Sequence, residues 1–209
     1  MDKTKRKILS TSRVLFNKKG FGNVTIRMIA LQLKMSSGNL NYHFKRRDDI
    51  LEALYFEMVE VFDNRVKQLG ASEITLEMVK GDVTSSLTRM IEYRFFWTDL
   101  YNLLRLNERI KIHFENIYQR RYEGYKLLFE LLQKKNVLKD FQFKKESRFL
   151  IERMIGYSNT WLYNSFVYDL KINEDYIESQ ADNLLGMLYP YLTDSGRSQY
   201  QTLFPKYFE

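Results

Sequence analysis

The sequence predicts an all-α protein, a head of three short helices followed by a bundle of longer ones. Three observations carry this. Apolar residues recur at three- and four-residue spacing over long stretches, and the alternation of half-buried strands is absent. Only two prolines, Pro190 and Pro205, and nine glycines punctuate 209 residues. A hydrophobic share of 44% and an aromatic share of 15% are ample for a packed core and argue against a disordered chain.

The elements follow in order. A first helix covers about 3–19, with Ile8, Leu9, Leu15 and Phe16 on one side and Gly20 past its end. A second covers about 25–33, started by Thr25 as N-cap, with Ile26, Ile29, Ala30 and Leu33 apolar. Lys34 and Met35 form a turn, and Ser36 caps a third helix over 37–43. A fourth runs over about 47–69, carrying Leu51, Leu54, Met58, Val61 and Phe62 at helical spacing. Beyond a linker at 70–74, longer helices are expected at about 75–95, 97–106, 108–136, 145–171 and 174–192. Pro190 must kink or stop the last of these near Tyr189. The tail from Thr193 to Glu209 reads as one more short helix at most.

Charge divides the chain unequally. Residues 1–48 hold 12 Lys and Arg against two Asp, a net +10, while the remainder holds 21 against 24, a net −3. A basic head on a nearly neutral body points to a polyanionic partner rather than to a generally solvated surface. The absence of cysteine excludes disulfides, thiolate metal sites and Cys nucleophiles. His43 and His113 lie too far apart in sequence for a His-pair metal motif, so no metal and no cofactor are expected. The opening MDKTKRKIL lacks the apolar run of a signal peptide, and no stretch is long and apolar enough for a membrane span. A cytoplasmic protein without membrane association is expected.

Two short helices joined by a tight turn place the second helix in the major groove of DNA. Over Thr25–Phe44, Ala30 is small where the helices cross, Met35 plugs the turn, and Leu40 and Phe44 share the inner face of the third helix. Ser37, Gly38, Asn39, Asn41, Tyr42 and His43 are left to face outward. Such groups suit groove reading, and Gly38 permits close approach of backbone to DNA.

These residues resemble the DNA-binding head of the TetR family of bacterial regulators. The family's pattern is met by Ile8-Leu9, Leu15-Phe16, Gly20-Phe21, Thr25 with Ile29-Ala30, and Met35-Ser36-Ser37-Gly38-Asn39-Leu40-Asn41-Tyr42-His43-Phe44, then Arg47 and Ile50. The match covers about residues 5–55. Thr11 and Ser12 replace alanines, Arg47 replaces the usual lysine, and Asn41 replaces a common tyrosine. The resemblance implies that Thr25 and Arg47 clamp phosphates of operator DNA, while Tyr42 and His43 touch phosphate or sugar. It leaves Ser36, Ser37, Gly38, Asn39 and Asn41 on the reading helix, with Asn39 or Asn41 as partners for adenine. The alternatives are a packing role for His43 near the turn and a surface-covering one for Tyr42.

The expected division is therefore a DNA-binding domain at 1–48 and a helical effector-binding and dimerisation domain at 49–209, joined by the helix at about 47–69. In the second part Tyr93, Phe96, Trp97, Tyr101, Tyr125, Phe129, Tyr157 and Trp161 are candidates to line a pocket for a small hydrophobic effector; individually each also reads as core. Residues 94–100 (RFFWTDL) resemble a segment of one branch of the family, with Arg94 and Asp99 read as a solvated ion pair or as orienting a ligand's polar end. Apolar residues surround the 145–171 helix, and the following helix carries a second stripe. A homodimer is expected through Met154, Gly156, Ile177, Ala181, Leu184, Leu188 and Tyr191. The function expected is a DNA-binding transcriptional repressor released by its effector. The alternatives are a structural DNA binder without effector and a helical-bundle enzyme, for which no G-x-S-x-G, phosphate loop, H-E-x-x-H or Glu-x-x-His motif exists.

Overall fold

The computed structural model describes the backbone at residues 2–69 and 74–209 and the side chains at 2–60 and 74–209. Residues 70–73 of the expected linker at 70–74 and the side chains of Val61 and Phe62 lie outside the described residues. Eleven α-helices are seen among the described residues: α1 Lys3–Lys19, α2 Ile26–Gln32, α3 Ser37–His43, α4 Arg47–Leu69, α5 Leu76–Glu92, α6 Arg94–Thr98, α7 Leu100–Leu106, α8 Glu108–Lys134, α9 Glu146–Val167, α10 Glu174–Gly186 and α11 Asp194–Leu203. The chain is all-α, as its periodicity predicts.

Helix starts follow side-chain caps. Asp2, Thr25, Ser36, Asn173 and Thr193 each accept a backbone N–H in the first turn of the helix they open. Helix ends show how a glycine-poor chain stops. Lys34, Asn136 and Asp169 each have φ of 54°. After each, the next N–H returns to a carbonyl five residues back: Met35 to Ala30, Val137 to Leu132, Leu170 to Ser165. These are Schellman closures built on side chains that hold the left-handed conformation at a cost of about 1–2 kcal/mol, where glycine would hold it freely. Asp169 is why α9 stops at Val167 instead of running to 171.

The chain forms two compact units. The first comprises residues 1–68 and 89–113, and so contains more than the three-helix head. Its core joins Ile8 and Phe16 of α1, Leu40 of α3, Leu54 and Tyr55 of α4, and Phe96 of α6, all buried. One continuous helix over 97–106 is not what forms. Tyr93 and Asp99 leave helical geometry, and α5, α6 and α7 follow in short order. The break lets Tyr93, Phe95, Phe96 and Trp97, four consecutive-range aromatics, all be buried, which one straight helix cannot do.

The second unit comprises residues 69–88 and 114–209. Its core is one cluster drawn from α5, α8, α9, α10 and α11, including Val79, Phe129, Met154, Leu184, Leu188 and Phe204. The expected helix over 174–192 ends at Gly186, and Pro190 sits in a 3-10 turn at Tyr189–Tyr191. Buried Asp182 of α10, its side chain 2% exposed, pairs with Lys80 at 3.4 Å and Lys206 at 2.9 Å. Tyr207 donates to the same carboxylate at 2.9 Å, so the C-terminal turn is tied to α10.

Candidate DNA interface

The helix-turn-helix is built as its residues require. Ile29 and Ala30 of α2 and Leu40 of α3 are buried, and Phe44 closes the end of α3 against the same core. Phe16 meets Phe21 edge-on at 5.2 Å, which fixes the turn after α1. Gly20 in that turn has φ of 78°, a conformation that side chains avoid.

The outer face of α3 is free. Asn39, Asn41 and Tyr42 are exposed, Tyr42 at 85%, and Ser37 is half-buried at the N-terminus. Ser36 Oγ accepts from Asn39 N–H at 3.1 Å and Thr25 Oγ1 from Met28 N–H at 3.2 Å. Each hydroxyl thereby acts as acceptor inside the protein and keeps its proton for an outside acceptor such as a phosphate. A Cβ at Gly38 would meet only Ser36 Oγ, at 3.9 Å. Nothing among the described residues demands glycine there.

His43 and Arg47 sit differently. The His43 side chain is only 13% exposed, and its Nδ1 lies 3.7 Å from the Asp2 carboxylate that caps α1. This is the packing alternative for His43 rather than an open outward side chain. Arg47 Nη1 donates to the carbonyls of Phe21, Gly22 and Val24 at 3.1, 3.2 and 3.0 Å. Its guanidinium also stacks 4.0 Å from the Phe21 ring. One face of this cation is thus committed to the loop between α1 and α2. Lys45 and Arg46, just before it, are exposed, as are Arg27 and Lys34. Sequence reasoning counted these charges in the +10 total but singled out none of them; their place at helix ends beside the reading helix is the signal that marks them.

Behind the head, Asn17 of α1 locks onto the α5–α6 junction. Its Nδ2 donates to Glu92 O at 2.8 Å, its Oδ1 accepts from Phe95 N–H at 3.1 Å, and Arg94 Nε donates to Asn17 O at 3.2 Å. Arg94 therefore serves this junction and does not pair with Asp99, which accepts from Asn102. Beside it, Tyr93 O–H donates to Glu57 at 2.7 Å. Burial, then the hydrogen bond and charge of Glu57, push the phenol up to about 12.

Two family models match this chain. One, described as bacterial regulatory proteins of the tetR family, covers residues 8–54; the other, described as a bacterial transcriptional repressor, TetR, covers residues 46–200. The chain belongs to the TetR family. It is a transcriptional regulator of that family, which is not a family of enzymes. A crystal structure of a TetR-family transcriptional regulator from Marinobacter aquaeolei VT8 superposes with a TM-score of 0.88 at 27% identity, covering 99% of both chains. A putative transcriptional regulator from Saccharomonospora viridis, solved with choline, superposes at 0.71 with 20% identity over 92% of this chain and all of the other, a likeness of fold alone. The probable HTH-type transcriptional regulator YttP of Bacillus subtilis is 26% identical over 91 residues, 44% of either chain. YerO of the same organism, an uncharacterized HTH-type regulator, is 27% identical over 122 residues, 56% of this chain and 42% of its own. The chain thus matches less than half the length of those two curated relatives.

In this TetR-family regulator the expected pocket residues fall in both compact units. Tyr93, Phe96 and Trp97 are buried in the core of the first unit, and Tyr101 is 74% exposed on α7. Tyr125, Phe129, Tyr157 and Trp161 belong to the second unit, where Phe129 and Trp161 are buried. The expected dimer residues divide by their exposure within the single chain. Met154, Ala181, Leu184 and Leu188 are buried inside the single chain, so they have no face to offer a partner. Ile177 and Tyr191 are half-buried, and Gly156 is exposed with nothing within 4 Å of where its Cβ would stand. Among the described residues no helix is long and apolar enough to cross a membrane.

Proposed function

We propose that this TetR-family regulator is a cytoplasmic homodimeric repressor that reads a pseudo-palindromic operator with α3 and releases it when a small effector binds. The observation that carries the reading is the presentation of α3: Leu40 and Phe44 are buried while Asn39, Asn41 and Tyr42 stand clear on a net +10 head. Residues 1–48 act as the reading domain and 49–209 as the effector and dimerisation domain. Asn39 and Asn41 read base edges, and Ser37 and Gly38 allow the backbone to approach. Thr25, Ser36 and Tyr42 donate to phosphates. Lys45 joins them, while Arg47 and His43 act through the loop and helix they hold.

Dimerisation is assigned to the outward face of α9. Phe149, Tyr163, Phe166 and Val167 stand exposed there, Phe166 at 48%, with exposed Gly156 on the same helix. A second copy covering this face by a twofold axis buries what a single chain leaves in water. The effector reading draws support from the family and from the choline-bound neighbour of the same fold. Its route to DNA is the Asn17 junction, through which a shift of α6 displaces α1. The test is selection of operator sites followed by gel shifts over a salt series. Steep salt dependence with a twofold-symmetric site is expected; salt-insensitive binding overturns the reading. Phe166→Arg is expected to yield monomer by light scattering, and a fully dimeric variant at about micromolar concentration would refute the α9 face.

A further inference from the structure

In the second unit one half-buried cation has no acid among the described residues. Arg121 of α8 turns toward α9, where Nη1 donates to Asn159 Oδ1 at 2.7 Å and Nη2 to Ser158 Oγ at 2.6 Å. Tyr125, four residues on, stands one helical turn away beside the same guanidinium. No carboxylate among the described residues pairs with it. Burial opposes the charge and draws its pKa down, and burial likewise pushes the Tyr125 phenol up.

The hydrogen-bonding capacity left over here is of one kind. Ser158 gives its proton back to the Met154 and Ile155 carbonyls at 2.8 and 3.0 Å, so toward Arg121 it only accepts. Asn159 turns its oxygen to Arg121, which leaves its amide N–H groups outward. A guanidinium has five N–H donors, and two acceptors do not fill them. The side chains of Arg121, Tyr125 and Asn159 all retain some exposure. A net positive cluster whose vacant positions are donors is the complement of a planar anion. Apolar surface adjoins it: the Tyr125 ring lies 6.2 Å from Phe129, and Tyr122 and Tyr125 pack on the unit's core. A clamp between α8 and α9 alone would need no charge, and an unpaired charge drawn partly out of water is costly.

We propose that Arg121, Asn159 and Tyr125 form the head-group site for an organic carboxylate whose apolar body lies along the Tyr122 and Tyr125 rings. This names the chemical class of the effector and rests on the effector reading above. The full chain is titrated with butyrate, benzoate and decanoate and with the matched primary amides, by calorimetry and thermal shift. At least one carboxylate raises the melting temperature and binds at least about tenfold tighter than its amide, a ratio that charge-assisted hydrogen bonds supply. Arg121→Gln removes that preference. Asn159→Asp gives Arg121 the acid it lacks, so it raises the melting temperature of the free protein and abolishes carboxylate binding. The site is overturned if amides bind as tightly as acids, if none of the three acids binds, or if Asn159→Asp leaves carboxylate affinity intact. The two readings fail separately. A carboxylate that binds through Arg121 without weakening operator binding removes the effector role and leaves the site. An uncharged amide that releases the operator does the reverse.

Discussion

Arg47→Ala separates two roles that the same cation can play beside a reading helix. Nη1 carries two protons and faces three carbonyls, those of Phe21, Gly22 and Val24, so the three contacts amount to two shared, charge-assisted hydrogen bonds. Each such bond contributes about 1.5–3 kcal/mol when buried, and the half-buried setting places these at the lower end. Stacking on Phe21 adds about 0.5–1 kcal/mol. Against this, a cation at the N-terminus of α4 costs about 0.3–1 kcal/mol, which the alanine relieves. The expected loss is about 2–4 kcal/mol of unfolding free energy, read from urea melts of the full chain. Arg47→Lys keeps the charge but neither the fork nor the stack, and loses about half as much. Operator affinity falls because the loop between α1 and α2 loses its anchor, while the slope of affinity against salt stays unchanged. A phosphate clamp predicts the reverse: unchanged melts and a salt slope reduced by about one. An alanine variant with unchanged stability and a shallower slope refutes the anchor.

Three further outcomes follow from particular contacts. Gly38→Ala has room within the chain, so it stabilises the fold by about 0.5–1 kcal/mol while weakening operator binding in gel shifts; retained affinity would show that DNA does not approach this backbone. Gly196→Ala drives a methyl into the Val137 carbonyl oxygen, which also accepts from Thr193 N–H, and costs about 3 kcal/mol in urea melts. Burial alone would raise the Asp182 carboxyl, but hydrogen bonds from Lys206 and Tyr207 and the charge of Lys80 outweigh it and hold the carboxyl below its ordinary value. The folded state therefore binds this proton less tightly than the unfolded chain does. Its stabilisation is present above about pH 4 and is lost as pH falls through the lower folded value. Thermal melts of Asp182→Asn should lack that acid-side decline, and an identical pH profile for both proteins would refute it.

The head was legible because its signals are local. Thr25 and Ser36 sit at caps, Gly20 at a forced φ, and Leu40 and Phe44 one turn apart, and each of these depends on a few neighbouring residues. Helix α1, α3 and α4 form at the bounds the sequence gives. What escaped was set by distant partners. Arg47 reaches carbonyls 23 to 26 residues away, and Asn17 reaches the backbone at 92–95. Spacing along one helix carries no trace of either. The break at Tyr93 and Asp99 escaped for a related reason, since four aromatics in five positions satisfy a helical pattern while demanding burial on every side.

The dimer stripe turns on a different step. Periodicity finds a helix face that must be covered but does not say which chain covers it. Ala181, Leu184 and Leu188 line up on α10 whether a partner or the protein's own helices lie opposite. Here the cover comes from the same chain: Leu76 and Val79 of α5, and Tyr200 and Phe204 from the tail that sequence read only as a possible short helix. Tyr200 stacks on Phe204 at 4.4 Å, and its hydroxyl reaches the position that a Gly186 Cβ would crowd at 3.6 Å. Once α11 is in place, the inner stripe is satisfied and the unmet apolar surface moves to the far side of α9. There Phe149, Tyr163, Phe166 and Val167 are left about half exposed by the described residues of their own chain. The reason for expecting a second copy is therefore unchanged, and the face proposed to meet it is one that the first stripe leaves out.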